Sequence, residues 1–217
     1  MDKVVHRYWH LRLQNLKKTL EKNHFETYEV DNVQQAGDLA LNTIIPSVSP
    51  ASISWGGSMT FVQSGLYHKL KKQDGLEIID TYDKKIDPEA LADRRRHSLL
   101  VDLFVAGSNA ITEAGHLVNL DMLGNRVAAL TFGPRNVLLL VGRNKIVPDL
   151  KAAMQRIKDV AAPANVLRLD KKTPCAKTGY CSNCSSPDRI CNSWTITEKS
   201  FPQGRIKVVL INEDLGL

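Results

Sequence analysis

At 217 residues, 43% hydrophobic and 24% charged, the chain has the composition of an ordinary globular domain with a sizeable core, which excludes a disordered or fibrous segment. Its formal net charge of +6 admits an anionic partner, either nucleic acid or small carboxylates and phosphates, and equally admits lysines spread over solvated faces. No apolar run is long enough to span a membrane, and charges recur through residues 1–22 where a signal peptide needs an apolar centre, so the expected compartment is the cytoplasm with reduced thiols.

Residues 3–22 read as an amphipathic helix, with Trp9, Leu13, Leu16 and Leu20 in an apolar stripe and Arg12, Lys17, Lys18 and Lys22 facing water. Phe25–Val30 is a short strand. Asn32 followed by Gln35 has the form of a capping box, and Val33, Ala36, Leu39, Ala40 and Ile44 continue as a helix expected to stop at Pro46. The strand Ala51–Ser54 then leads into Ser54-Trp55-Gly56-Gly57-Ser58-Met59-Thr60. Met59, Val62, Leu66 and Leu70 follow at the spacing of one helix face, as far as Asp74-Gly75. Two glycines and two hydroxyls between a strand and a helix start can cradle a small anion, because glycine admits close backbone approach and first-turn N–H groups lack partners. The same residues also make a plain tight turn.

Leu76–Asp80 reads as a strand, Asp87-Pro88 as the cap and first turn of a helix to about His97, and Val101–Val105 as an apolar strand of the kind buried in a parallel sheet. This alternation predicts an α/β fold, a Rossmann-like parallel sheet flanked by helices. After Ala106 the rhythm changes. Gly107, Gly115, Gly124 and Gly133-Pro134 punctuate short segments, Arg126–Phe132 and Asn136–Val141 read as strands, and a small β insertion or hairpin is expected. Asp149 caps a helix with Leu150, Met154 and Ile157 on one face, and Ala164–Leu169 and Arg205–Asn212 read as further strands. The whole is expected to form a single domain over residues 1–217, with a Cys-rich subdomain at residues 171–202 inside it.

Two polar stretches lie where ligands collect in open α/β sheets, just beyond apolar strands. In the first, residues 106–119, Asn109 can hydrogen-bond a carboxylate or amide and Glu113 can act as general base or nucleophile; alternatively Asn109 caps a turn and Glu113 opens a hairpin at Ala114-Gly115. In the second, Gly142 lets the chain turn and Arg143, Asn144 and Lys145 offer donors to a carboxylate or phosphate, or form an exposed basic turn.

All four cysteines, Cys175, Cys181, Cys184 and Cys191, fall in one segment with the spacing C-x5-C-x2-C-x6-C. Four thiolates suit a tetrahedral zinc ion or an iron–sulfur cluster, but the spacing is that of neither a zinc ribbon nor a ferredoxin, which leaves the metal open. Paired disulfides run against a reducing compartment, and inert thiols are the third reading. Lys172, Lys177 and Arg189 would lower the thiol pKa values. The six histidines are dispersed; only His6 and His10 are spaced as a pair, one turn apart on the first helix.

Ser54–Thr60, Gly107–Asn119 with Asp121 and Gly124–Ala129, Phe132-Gly133-Pro134, Val141–Val147, the cysteine segment and Asn212–Gly216 occur in an order that resembles the LUD domain family, named for lactate utilisation. That family is similar in fold to the ribose-phosphate isomerase, glucosamine-phosphate deaminase and CoA-transferase group, so the resemblance implies a Rossmann-like sheet with a small β insertion. In that group a Gly/Ser/Thr-rich loop binds phosphate or acyl substrate and an acidic residue near the second glycine cluster does chemistry. By position these correspond to Gly56, Gly57, Ser58 and Thr60, and to Glu113.

The implied role is lactate or organic-acid utilisation. A small organic acid, or its phosphate or CoA derivative, would be held by Gly56, Gly57, Ser58, Thr60, Asn109, Asn144 and Lys145, with Glu113 as the catalytic group. The alternative is a non-catalytic accessory or electron-transfer subunit that carries zinc or an iron–sulfur cluster on Cys175, Cys181, Cys184 and Cys191 and works with iron–sulfur protein partners of a lactate oxidation system. Nucleic-acid binding rests on charge alone and ranks last, since the aromatic residues do not interleave with the basic clusters.

Overall fold

Leu13, Leu16 and Leu20 are buried against the sheet, and this stripe turns Asp2–Lys22 into the amphipathic helix α1. The computed structural model, which describes residues 2–83 and 85–217, continues with β1 (Glu26–Val30) and α2 (Val33–Leu39). Asn32 caps α2, its Oδ1 accepting from Gln35 N at 2.9 Å, while the Gln35 side chain accepts from Asp31 N at 2.9 Å, one residue earlier than a standard capping box. The helix does not stop at Pro46. A π-turn at Ala40–Ile44 widens it, and α3 (Ile45–Val48) carries it on to Ser49. In a regular helix the proline ring meets the carbonyl four residues back; a wider turn just ahead of it relieves that conflict.

β2 (Ser52–Trp55) leads to α4 (Met59–Gln63) and α5 (Leu66–Leu70). The single helix expected here is broken at Gly65, whose φ of +72° the α-helix cannot accommodate, and Phe61 takes the buried place expected for Met59. β3 (Glu77–Ile79), α6 (Pro88–His97, capped by Asp87), β4 (Leu103–Ala106), β5 (Ala110–Thr112) and β6 (Leu117–Asp121) follow in turn.

The expected strand at Arg126–Phe132 is instead a helix, α7 (Asn125–Thr131). Gly124 at φ +88° turns the chain, and the Asp121 carboxylate accepts from Arg126 N (3.1 Å) and Val127 N (3.4 Å), so a run rich in alanine and leucine starts as a helix. After β7 (Asn136–Gly142) and β8 (Ile146–Val147) comes α8 (Leu150–Arg156), a second π-turn at Ile157–Ala161, and α9 (Ala162–Arg168). Pro163 stands to this π-turn as Pro46 does to the first, and the expected strand Ala164–Leu169 is therefore helical. The short α10 (Pro174–Thr178), β9 (Ser193–Thr197) and β10 (Ile206–Ile211) complete the described elements.

The six strands β1-β10-β7-β4-β2-β3, in that order, form an all-parallel sheet. Its central strands are apolar in their middles because both faces are covered: Phe104, Leu139 and Val208 pack with α1 on one face, while Leu138 and Val209 pack with Ile44 and Phe61 on the other. The expected α/β architecture is thus the observed one. The expected β insertion is the β5–β6 hairpin, which belongs to a second, mixed sheet ordered β8-β5-β6-β9; β9 is contributed by the cysteine segment and pairs antiparallel with β6. The chain steps outward from β2 to β3 and then crosses back to β4, which puts the topological switch point between β2 and β4.

Candidate functional site

The loops after β2, β4, β7 and β10 all leave the carboxyl edge of the parallel sheet. Gly56 N donates to Val105 O at 2.9 Å, tying the β2 loop to the end of β4. A Cβ on Gly56 would lie 2.9 Å from Arg126 Cγ and 3.0 Å from Phe104 Cζ, so this glycine serves internal packing, whereas nothing lies within 4 Å of the corresponding position on Gly57. Ser58 caps α4 through its Oγ, which accepts from Phe61 N at 3.2 Å. The Ser58 N–H donates to the Tyr82 hydroxyl (2.9 Å), and that hydroxyl donates to Gly56 O (2.5 Å). Burial pushes the Tyr82 phenol up to about 12, so it stays a neutral brace beneath the loop.

Arg126 of α7 is buried and organises the β4 loop. Its Nη1 donates to Gly107 O (3.0 Å) and Asn119 Oδ1 (2.6 Å), its Nη2 to Asn109 Oδ1 (2.8 Å) and Leu120 O (3.1 Å), and its Nε to Asp121 Oδ1 (3.1 Å). Asn109 Oδ1 also accepts from Leu120 N at 2.9 Å, so its carbonyl is committed to scaffolding and its amide nitrogen is the atom left for a ligand. Arg156 of α8 straps the next pair of loops together, donating from Nε to Asn144 O (2.8 Å) and from Nη1 to Asn109 O (2.9 Å).

Lys145 is 4% exposed. Its Nζ donates to Leu215 O (2.5 Å) and Leu217 O (2.8 Å), residues of the segment that follows β10. Burial, reinforced by the nearby Arg156 cation and only partly offset by Asp214, brings its amine down to about 7. The segment over it is fixed at several points. The Glu213 carboxylate accepts from Val33 N (2.9 Å), Asp214 pairs with Arg143 (2.9 Å), Leu215 N donates to Asn144 Oδ1 (3.1 Å), and Gly216 N donates to Gln63 Oε1 (3.2 Å). Gly216 has φ +61°, and a Cβ on it would lie 3.0 Å from Thr60 Oγ1 and 3.3 Å from Lys145 Nζ.

Gly56, Gly57, Ser58, Thr60, Asn109, Asn144 and Lys145 are therefore gathered along one edge by direct or shared contacts. Glu113 is not among them. It lies in the β5–β6 turn, about 10 Å beyond Ala110 at the rise of a strand, half exposed and paired with Arg12 of α1, which itself stacks on Trp9. Sequence reasoning missed Tyr82, Arg126, Arg156 and the Leu215–Leu217 cover. Arg126 and Arg156 were findable as arginines amid apolar helix-forming residues, had Arg126–Phe132 been read as a helix.

The four cysteines are free and half-buried, and all line one pocket against Ala162, Pro163 and Val166. Asn183, at φ +48°, donates its N–H to Cys181 Sγ (3.4 Å), and the Thr173 hydroxyl lies 3.1 Å from Cys175 Sγ. Arg189 folds the loop by donating to the Cys191 carbonyl (3.0 Å), the Cys184 carbonyl and Asn183 Oδ1 (3.0 Å). The donor chemistry suits thiolate ligation, since a backbone N–H aimed at sulfur offsets its charge. As placed, however, no group of three or more His, Cys, Asp or Glu among the described residues is arranged to hold a metal ion. No helix among them is long and apolar enough to cross a membrane.

A model of the LUD domain matches residues 13–211. No curated protein matches the chain. Among solved structures, the crystal structure of a DUF162 family protein from Deinococcus radiodurans, at 1.70 Å resolution, is similar at 13% identity with a TM-score of 0.49, over 94% of this chain and 98% of that one.

Proposed function

The chain belongs to the LUD domain family, named for lactate utilisation, and from that premise we propose that it holds a small organic-acid anion, free or as a phosphate or CoA derivative, at the edge formed by β2, β4 and β7. The observation that carries this reading is Lys145: an amine buried at the carboxyl edge of the sheet beside the half-buried Arg156 cation, its Nζ donating to main-chain oxygens of Leu215 and Leu217. Two neighbouring cations removed from water favour an anionic ligand between them. Arg156 spends Nε and Nη1 on carbonyls, which leaves Nη2 to meet a carboxylate. Ser58, Thr60, Gly57 and the Asn109 and Asn144 amides complete the ring of donors, and the expected setting is the cytoplasm.

We further propose that Cys175, Cys181, Cys184 and Cys191 take a zinc ion or an iron–sulfur cluster. Support comes from their shared pocket and from the N–H···S contact at Cys181. A second reading, an accessory or electron-transfer subunit that binds the anion without turning it over and works with iron–sulfur protein partners, is favoured by Glu113. Its ion pair with Arg12 leaves the edge without the acid expected there.

The deciding experiment is anaerobic purification with metal and sulfide analysis, followed by calorimetric titration with L-lactate, pyruvate, a phosphosugar and a CoA ester. Binding of one acid that is weakened at least tenfold in Arg156→Met supports the anion site. Failure of all four probes to bind overturns it. Stoichiometric zinc in a colourless protein removes the electron-transfer reading.

A further inference from the structure

We propose that the amino edge of the parallel sheet is a peripheral membrane-binding surface, which sets three apolar loop tips into the headgroup region of an anionic lipid bilayer. This surface is independent of the anion site, which lies at the opposite, carboxyl edge.

The loops that enter β4, β7 and β10 carry Leu100, Phe132 and Phe201, which are 83%, 90% and 88% exposed. These strands are consecutive in the sheet. Leu103 pairs with Asn136 and Val137 with Ile206, so the three entries are level. Neighbouring strands lie about 4.8 Å apart, which puts the entries within a span of about 10 Å. One exposed apolar residue is ordinary; three large ones on adjoining loops form a patch of the kind that marks an interaction surface.

The loops beneath the tips are fixed. Arg205 donates to the carbonyls of Ala129 (2.8 Å), Leu130 (2.7 Å) and Pro134 (3.1 Å), which ties the start of β10 to both sides of Phe132. Ser200 N donates to Asn23 O (2.9 Å) and Gly204 N to His24 O (2.9 Å), which holds the Phe201 loop on the end of α1. Leu99 packs against the core directly before Leu100. Tips already held in place lose little freedom on docking.

Charge selects the occupant. Lys22 at the end of α1, Arg95 at the end of α6, Arg135, Lys199 and Arg205 belong to this edge, and none of them is in an ion pair among the described residues. Arg94 and Arg96 are paired with Asp83 and Asp93. The carboxylates that face the same edge are Glu77, Glu198 and Asp102, and Asp102 is turned onto the N–H groups of Ala51 and Ser52. Unpaired cations therefore outnumber carboxylates around the tips. Anionic headgroups complement a positive rim about an apolar centre, and fluid lipid accepts tips that stand clear of the fold without the preformed pocket a protein partner needs. A second copy of the chain would bring the same positive rim against itself.

Co-sedimentation of the full chain with vesicles of phosphatidylcholine, alone or mixed with phosphatidylglycerol, tests this. The protein is expected to pellet with the mixed vesicles, to stay in solution with the neutral ones, and to bind less as salt is raised. Phe132→Ser and Phe201→Ser should each weaken binding on the order of tenfold. Leu167→Ser, at an exposed apolar residue of α9, should leave it unchanged. Both phenylalanines stand in solvent, so their variants should melt with the wild type. Failure to pellet with the mixed vesicles at low salt overturns the proposal. So does pelleting that neither phenylalanine variant weakens, which is adsorption by charge alone. A dimer in sedimentation velocity that Phe132→Ser dissolves would assign the patch to a second copy and overturns it likewise.

Discussion

Arg156 Nη1 donates to the carbonyl of Asn109 at 2.9 Å, a contact that joins α8 to the loop after β4 across 47 residues of sequence. The same guanidinium donates to Asn144 O, so one side chain sets the spacing of two loops at the candidate site. Arg156→Met should leave both carbonyls without a charged donor and cost roughly 2–3 kcal/mol of stability. Arg156→Lys should recover less than half of that, because an ammonium cannot reproduce the fork. Urea unfolding of the three proteins measures it, and equal stability of the methionine variant and the wild type would show that the strap is incidental.

Gly56 and Gly57 are adjacent but should respond oppositely to a methyl group. Gly56→Ala places a Cβ against Arg126 and Phe104, and is expected to destabilise by roughly 1–3 kcal/mol. Gly57→Ala meets open space and should stay within about 0.5 kcal/mol of wild type. If the loop cradles an anion, Gly57→Ala lowers affinity without lowering the melting temperature; a thermal melt beside a calorimetric titration reads both quantities.

The depressed Lys145 amine predicts a pH dependence with a definite sign. Its pKa is about 7 in the fold against the ordinary 10.5, so between those values the unfolded chain binds more protons and stability rises with pH. Below about pH 7 both states are protonated and the whole cost of burying the charge is present. Arg156 on α8 and Asp214 beyond β10 are the charged neighbours that tune it. Relative to Lys145→Met, wild type should therefore gain stability from about pH 7 to pH 10, by up to about 4 kcal/mol. Parallel unfolding curves for the two proteins over that range would exclude a neutral buried lysine.

Glu113→Gln should change little. The Arg12 pair it breaks is at the surface and contributes at most about 1 kcal/mol. Binding of any acid at the Lys145 edge should be unaltered. A large loss of affinity or of lactate-dependent growth in this variant would restore the catalytic role read from its sequence position.

Much of the sheet was legible because Leu103–Val105, Val137–Val141 and Val208–Ile211 are uninterrupted apolar runs, and a strand covered on both faces needs them. Arg126–Phe132 misled for a different reason: its buried face, Arg126, Val127, Ala129 and Leu130, has helical spacing, but a charged residue heads it and two turns are too short to show the period against a strand. Pro46 and Pro163 misled because a stop signal assumes a regular helix, and a π-turn ahead of each relaxes the clash. At the candidate site, glycine and amide loops after apolar strands pointed to the carboxyl edge of the sheet, where these residues lie. What holds them there did not show. Arg156 binds backbone carbonyls, which every residue has, and Arg126 joins two carbonyls to the side chains of Asn109, Asn119 and Asp121, a set whose convergence on one guanidinium only the fold displays. Glu113 lies in the β5–β6 turn against Arg12, away from the residues grouped with it, since polar density in a stretch does not say at which end of a hairpin each side chain will sit.

The place of β10 in the sheet also governs how the protein is born. Ile206–Ile211 lies between β1 and β7, so the first strand to leave the ribosome has no neighbour until the last one arrives. Until then β7 presents a bare apolar edge, the feature that invites pairing with the wrong chain. The nascent chain must therefore carry an open seam from β1 until Ile206–Ile211 emerges, and that strand closes the sheet like a key drawn into a slot rather than a lid laid on top.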